Sequence, residues 1–118
     1  MPARSPEQIG ELFQQAIRQG DLDAAMALYE PGAVFLTQSG DLRSGTDAIR
    51  QEMAPLADMK PEFKINVDKV VSSGDITLMY STWSMSNSQL SGRAIEVARR
   101  QPDGTWLYVV DDPNTFSA

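Results

Sequence analysis

The sequence predicts an α+β fold in which helices come first and an antiparallel sheet follows. Before Pro61, apolar residues recur at helical spacing, and after it they alternate with polar residues at a period of two. The segment Pro102-Asp103-Gly104, between the last two alternating stretches, is typical of a hairpin turn. A chain of 118 residues is expected to form one domain, over residues 1–118.

The first helix has start and stop signals in the sequence. Ser5 is a suitable N-cap, Pro6 fits the first turn and Gln8 completes a capping box. Gly20 is predicted to end the helix, because glycine readily adopts the left-handed conformation of a C-cap. Between these signals, one apolar face carries Ile9, Leu12, Phe13, Ala16 and Ile17.

A second helix and a short strand are predicted next. Asp21 can cap a helix that runs as far as Tyr29, and Pro31 and Gly32 are expected to end it. The apolar residues that follow predict a strand over 33–37.

The third predicted helix contains a proline. Thr46 can cap it, and Ile49, Met53 and Leu56 supply its apolar positions. Pro55 is expected to kink or end this helix, because proline cannot donate the backbone hydrogen bond.

The first long strand changes phase part-way along. Phe63, Ile65 and Val67 alternate with polar residues, but Lys69 falls where an apolar residue is due. A bulge near Asp68 would restore the alternation and bend the strand.

Three more strands are predicted, over Ile76–Met85, Leu90–Arg100 and 105–111. The turn between the last two has three residues, with Gly104 in the left-handed conformation. Such a turn pairs Gln101 with the first residue of the final strand.

Counting back from this turn assigns side chains to the two faces of the hairpin. Val97 is predicted to pair with Val109 and Ile95 with Asp111, and paired residues share a face. One predicted face carries Ile95, Val97, Leu107, Val109 and Asp111, with Arg93 diagonal to Asp111, and the other carries Glu96, Ala98, Arg100, Trp106, Tyr108 and Asp112.

Composition limits the chemistry and the partners of the protein. The chain has no histidine and no cysteine, which excludes imidazole bases, thiol nucleophiles, disulfides and the usual zinc ligands. A net charge of −6 argues against binding to nucleic acid or to an anionic membrane. No signal segment, glycine-rich phosphate loop or dense set of metal ligands is present, so we expect a cytoplasmic protein without a cofactor or metal.

Two long segments resemble a known family. Residues 20–53, GDLDAAMALYEPGAVFLTQSGDLRSGTDAIRQEM, are similar to the front half of SnoaL-like domains, and residues 92–113, GRAIEVARRQPDGTWLYVVDDP, to the back half. These domains belong to the nuclear-transport-factor-2-like superfamily, together with ketosteroid isomerases. The resemblance implies a cone-shaped, strongly curved antiparallel sheet wrapped around N-terminal helices, a cystatin-like α+β barrel with a pocket in its wide end. It also implies a homodimer through the outer sheet face, where Trp83, Trp106 and Tyr108 could pack.

The resemblance argues against a standard ketosteroid isomerase. Those enzymes use a carboxylate base with a tyrosine and a protonated aspartate. By spacing, the base position falls near Thr37, the tyrosine near Phe13 and the aspartate near Val97, and none has the required residue type.

Asp111 and Arg93 are the candidate catalytic residues that remain. An aspartate in an apolar pocket can act as acid or base, and a nearby arginine can stabilise negative charge, as an isomerase, cyclase or hydrolase requires. No second aspartate is evident on the same predicted face. A structural salt bridge is the other interpretation of this pair.

The predicted ligand is a small apolar or amphipathic organic molecule. Its candidate binding residues are Thr37, Tyr29, Tyr80, Val97, Val109 and Phe13. The alternative function is a non-catalytic module for ligand binding or dimerisation, because this fold serves several classes of protein.

Overall fold

The computed structural model describes residues 2–86 and 90–114. In these residues the helices are α1 (Pro6–Gln19), α2 (Leu22–Met26) and α3 (Thr46–Met59). The strands are β1 (Tyr29–Leu36), β2 (Leu42–Ser44), β3 (Phe63–Ser73), β4 (Ile76–Met85), β5 (Leu90–Arg100) and β6 (Trp106–Asp112). None of the described helices is long and apolar enough to cross a membrane.

The strands form one curved sheet in the order β2-β1-β6-β5-β4-β3. The predicted α+β class, with helices before a curved sheet, is confirmed. The sheet does not close, because β2 and β3 are its two edges. One pairing differs from the prediction: β1 and β6 run parallel, while the other neighbours are antiparallel.

Helix α1 forms as its capping signals predict. The Ser5 side chain accepts a hydrogen bond from the Gln8 backbone N–H at 3.2 Å, and Gly20 ends the helix with φ of 70°. The buried side of α1 packs against β3 and β6. It joins a continuous core whose largest buried members include Ile9, Ile17 and Ile49.

The boundaries around α2 differ from the prediction. The helix ends at Met26, and Tyr29 begins β1 instead of lying on a helix. Pro31 and Gly32 therefore lie inside the strand, where the pairing with β6 is irregular between Tyr29 and Val34. Proline is tolerated at such an irregularity because no ladder hydrogen bond is required of it there.

Helix α3 continues through Pro55 to Met59, so of the two predicted outcomes, an end and a kink, the end is wrong and the kink stays a prediction. Pro55 is exposed, and so is Gln51, whose carbonyl loses its helical partner and can bond to water instead. The N-cap is Gly45, with φ of 87°, instead of Thr46.

The antiparallel pairings of the described strands contain two bulges, of which the sequence predicted one. The first lies between Val67 and Lys69 in β3, as the phase slip indicates. The second leaves Val109 of β6 without a partner, because β5 pairs Ala98 with Tyr108 but Val97 with Val110. The predicted pairing of Val97 with Val109 is therefore wrong, although the three-residue turn with left-handed Gly104 is confirmed.

The second bulge changes which side chains face the helices. Ala94, Glu96 and Ala98 of β5 are buried on the inner face, where Tyr108 lies opposite Ala98. The extra residue brings Asp111, three positions after Tyr108, back to the same face. The predicted inner set was the opposite one, and only Asp111 belongs to both.

Candidate functional site

A cavity of about 270 Å³ lies between the inner face of the sheet and the helices α1 and α3. Aromatic, aliphatic and methionine side chains form most of its wall, and carboxyl, amide and phenol groups supply the polar part. Its lining consists of Phe13, Phe35, Gln38, Glu52, Met53, Leu56, Phe63, Ile65, Trp83, Met85, Leu90, Ala94, Glu96, Tyr108, Asp111, Pro113 and Asn114. A volume near 300 Å³ is enough for a small organic ligand.

Aromatic rings order one side of the cavity. Phe13 meets Phe63 edge-on with ring centroids 5.7 Å apart, and Phe63 stacks on Trp83 at 6.2 Å. The Trp83 indole N–H donates to the Pro113 carbonyl at 2.6 Å. The ring crosses β5 at Gly92, where an added Cβ would lie 2.7 Å from the indole. Because Gly92 has no side chain, the Trp83 indole can lie directly against β5 at this position.

Glu96 and Asp111 form a pair of buried carboxyl groups on the cavity wall. They are register partners on β5 and β6, with exposed fractions of 3% and 6%. Each receives one hydroxyl hydrogen bond: Ser81 Oγ donates to Glu96 Oε1 at 2.7 Å, and Tyr29 Oη donates to Asp111 Oδ2 at 2.6 Å. We call Glu96 and Asp111 the carboxyl dyad.

Burial makes both members of the carboxyl dyad weaker acids than usual. It raises the pKa of Glu96 to about 8, helped by the nearby Asp111 charge, while the Ser81 hydrogen bond acts in the opposite direction. Burial also raises the pKa of Asp111, to about 6, against the Tyr29 hydrogen bond that favours the ionised form. Because the two groups are coupled, they titrate as a pair, and between these values the carboxyl dyad holds one proton and one negative charge.

The carboxyl dyad has no basic partner among the described residues. None of their ion pairs includes Glu96 or Asp111, and no arginine or lysine contributes to either pKa shift. Arg93, predicted to approach Asp111, is exposed and lines a separate depression with Asp68, Tyr80 and Thr82. It lies three residues from Glu96, and odd separations along a strand place side chains on opposite faces.

The predicted ligand-binding residues divide between the cavity and its surroundings. Phe13 lines the cavity. Tyr29 lies behind the cavity wall, where its hydroxyl donates a hydrogen bond to Asp111. Thr37 follows β1 and bonds to Ser39 and Asp41 instead of lining the cavity.

Three other predicted lining residues lie outside the cavity. Val97 and Val109 are not in its wall, because the β6 bulge reverses the predicted faces. Tyr80 is 40% exposed and lines the outer depression. The structure also places the three residues predicted for an outer dimer surface differently from the prediction. Tyr108 is buried, Trp83 lines the cavity, and Trp106 packs against the core.

Glu96 is the functional candidate that sequence reasoning missed, because the predicted register placed it outside. Val97 does not exclude the second carboxyl group of a ketosteroid isomerase, because the neighbouring Glu96 supplies one to the cavity. Within residues 2–86 and 90–114, no group of three or more acidic side chains is arranged to hold a metal ion.

A curved open sheet over N-terminal helices, with a cavity between them, is the architecture of NTF2-like and cystatin-like proteins. A family profile described as SnoaL-like domain matches residues 9–113. The chain therefore belongs to the SnoaL-like domain family, as the resemblance in its sequence predicts. No curated protein matches the sequence.

Solved structures share this fold at low sequence identity. An NTF-2-like protein of unknown function from Shewanella oneidensis is 19% identical, covers 89% of this chain and 92% of its own, and has a TM-score of 0.76. A ketosteroid isomerase-like protein from Erwinia carotovora is 15% identical over 95% and 94%, with a TM-score of 0.71. An NTF2-like protein from Streptomyces avermitilis, provisionally described as a dehydratase, is 17% identical over 94% and 93%, with a TM-score of 0.73. Similarity at this level establishes the fold.

Proposed function

We propose that the protein is an acid–base enzyme that transfers a proton within a small, largely apolar organic molecule. The observation that supports this most directly is the carboxyl dyad in the wall of an apolar cavity. Two carboxyl groups with different proton affinities provide a base and an acid at the same pH. A cytoplasmic location is part of the proposal.

Asp111 is the proposed base. Its ionised oxygen accepts a proton from a carbon atom of the substrate, and the electron pair of that C–H bond moves toward an electronegative atom. Protonated Glu96 donates its proton to that atom, which is either a carbonyl oxygen or a departing hydroxyl. In isomerisation, Asp111 returns the proton to another carbon and the oxygen gives its proton back to Glu96. In dehydration, the C–O bond breaks, water leaves, and the proton held by Asp111 restores Glu96.

The surroundings of the carboxyl dyad suit this chemistry. The apolar wall excludes water, which strengthens the interaction of each carboxyl group with the substrate. No arginine or lysine is among the described residues that line the cavity, which disfavours anionic substrates. The dehydratase description of the Streptomyces protein supports the elimination form of the reaction.

A probe of proton abstraction tests the proposal without knowledge of the natural substrate. In 5-nitrobenzisoxazole, a base removes the ring C–H proton, the N–O bond breaks, and a nitrile and a phenolate form. We expect the wild-type protein to accelerate this reaction beyond an equal concentration of acetate, and Asp111→Asn to reduce the rate at least about 100-fold. Asp58→Asn, on the exposed side of α3, removes a carboxylate far less buried and is the matched control.

Binding of the probe is measured separately, by quenching of Trp83 fluorescence in a Trp106→Phe background. Wild-type protein that binds the probe but does not accelerate its elimination would refute the acid–base proposal. That result would support the alternative, a non-catalytic ligand-binding module, which the predominantly apolar cavity lining favours.

We also propose a homodimer through the outer sheet face. The exposed apolar side chains there include Val71 and Tyr80. Sedimentation analysis is expected to give twice the chain mass, and Tyr80→Glu to shift the equilibrium toward the monomer. Tyr80→Phe, which keeps the ring, is the control.

A further inference from the structure

We propose that Tyr29 is a positioning residue that keeps the proton of the carboxyl dyad on Glu96 and thereby assigns Asp111 the role of base. This inference rests on the proposed function and extends it to a residue outside the cavity lining. Tyr29 touches Asp111 from behind the wall, so it acts through Asp111 and not on the substrate.

The first argument is the difference between the two hydroxyl donors. Tyr29 Oη donates to Asp111 at 2.6 Å, and Ser81 Oγ donates to Glu96 at 2.7 Å. A phenol is a much stronger acid than an alcohol, so its hydrogen bond stabilises an ionised carboxylate more. Of two similarly buried carboxyl groups, the one bonded to the phenol keeps the negative charge.

The second argument is that Tyr29 is held where it can have this effect. Its ring is 3% exposed and packs against Tyr108 at 5.4 Å and Phe13 at 6.3 Å between ring centroids. It begins β1, the strand parallel to β6, and is the register partner of Tyr108. The hydroxyl therefore reaches Asp111 from a fixed position.

Other titratable groups around the dyad do not provide the same distinction. Tyr108 faces the cavity beside both carboxyl groups, and its phenol has no hydrogen bond to either of them. Asp112 follows Asp111 in β6, and its charge opposes ionisation of Asp111. Glu52 lines the cavity from α3, where its carboxylate pairs with Arg43 at 3.1 Å. Among the described residues, Tyr29 is the phenol that donates to the dyad.

The test compares pH–rate profiles for the benzisoxazole probe in Tyr29→Phe and Ser81→Ala. Without the phenol, Asp111 holds a proton to higher pH. The acidic limb of the profile, where the rate rises with pH, is therefore expected to move up by about one pH unit or more. The rate near pH 6 then falls about fivefold or more and recovers at higher pH. In Ser81→Ala the acidic limb should stay in place and the basic limb should move up instead.

A purely structural role for Tyr29 gives a different result. Loss of a structural role would lower the rate by the same factor at every pH. A Tyr29→Phe profile that superimposes on the wild-type profile after scaling would therefore overturn the inference. Tyr80→Phe, on the outer face, is the control for loss of a phenol. Thermal unfolding and Trp83 quenching show whether each variant is folded and binds the probe.

A second measurement does not depend on activity. Carbon-13 NMR of protein labelled at the aspartate carboxyl carbons reports the titration of Asp111, assigned by comparison with Asp111→Asn. We expect this titration to move to higher pH in Tyr29→Phe, and no movement would contradict the inference. An inactive wild-type protein in which the NMR shift still occurs would refute the proposed function while supporting the role of Tyr29 in proton placement.

Discussion

Glu96 on β5 and Asp111 on β6 are register partners, and both carboxyl groups are buried on the inner face of the sheet. They face the same way because Val109 is bulged out of the ladder between Tyr108 and Val110. Without that extra residue, Asp111 and Tyr108 would lie on opposite faces. One bulge therefore creates the carboxyl dyad.

The pH dependence of proton abstraction should be bell-shaped. The rate is expected to rise as Asp111 ionises near pH 6 and to fall as Glu96 ionises near pH 8, because ionised Glu96 repels the developing phenolate. Glu96→Gln should lower the maximum and remove the basic limb while leaving the acidic limb near pH 6. Steady-state kinetics with the benzisoxazole probe between pH 4.5 and 10 checks this. A basic limb that persists in Glu96→Gln would assign it to another group.

Stability should decrease as the pH rises through the same range. Both carboxyl groups have a higher pKa in the folded protein than their ordinary values of 4.5 and 3.8, so the folded state binds more protons. The contribution of these two groups to the free energy of unfolding is therefore greatest below about pH 4 to 5. It is lost as the pH rises to about 8. Denaturant unfolding at several pH values measures the slope.

Glu96→Gln should flatten this dependence. At pH 9 the variant is expected to be more stable than the wild type by about 2–5 kcal/mol, because it avoids a buried charge. Glu11→Gln, an exposed change on α1, should leave the slope as it is. Equal slopes for wild type and Glu96→Gln would show that Glu96 ionises freely in the folded protein.

Gly92→Ala should disturb the aromatic side of the cavity. Its methyl group would lie within 3 Å of the Trp83 indole, so the ring must move away from Pro113. We expect a loss of about 1–3 kcal/mol in stability and a changed Trp83 emission spectrum. Gly32→Ala is the matched control, since no atom lies within 4 Å of its added Cβ. Similar unfolding midpoints for the two variants would be inconsistent with this contact.

Ala94→Leu should fill the cavity next to the carboxyl dyad. Ala94 is buried and lines the cavity, so a larger side chain occupies the space needed by the ligand. Probe affinity, measured by Trp83 quenching, should fall about tenfold or more while the protein stays folded. Ala24→Leu, on the exposed side of α2, should bind the probe like the wild type. Unchanged affinity in Ala94→Leu would place the binding site elsewhere.

Local signals in the sequence were sufficient for several elements. Helix α1 follows from Ser5 and Gly20, because caps act through neighbouring backbone groups. The β3 bulge could be predicted because Lys69 is a polar residue that breaks an apolar alternation. Gly104 similarly determines the last turn through its own backbone conformation.

The β6 bulge had no such signal. Tyr108, Val109 and Val110 are all large and apolar, so inserting a residue among them does not interrupt any pattern. A shift of one residue exchanges the faces of a strand, and the same error placed Glu96 outside and Arg93 inside. Tyr29 was predicted to lie on a helix, because no signal in the neighbouring sequence indicates its parallel pairing with β6.

The sequence by itself determined the α+β class, the three helices, the long strands and the family, but not the short strand β2 or the bulge that turns Asp111 into the cavity. Only the tertiary structure decided that Asp111 is paired with Glu96 and bonded to Tyr29, a residue 82 positions away in the chain. The physical reason is that caps and turns depend on the conformation of adjacent residues. The carboxyl dyad instead depends on register between strands, which is set by packing across the whole sheet.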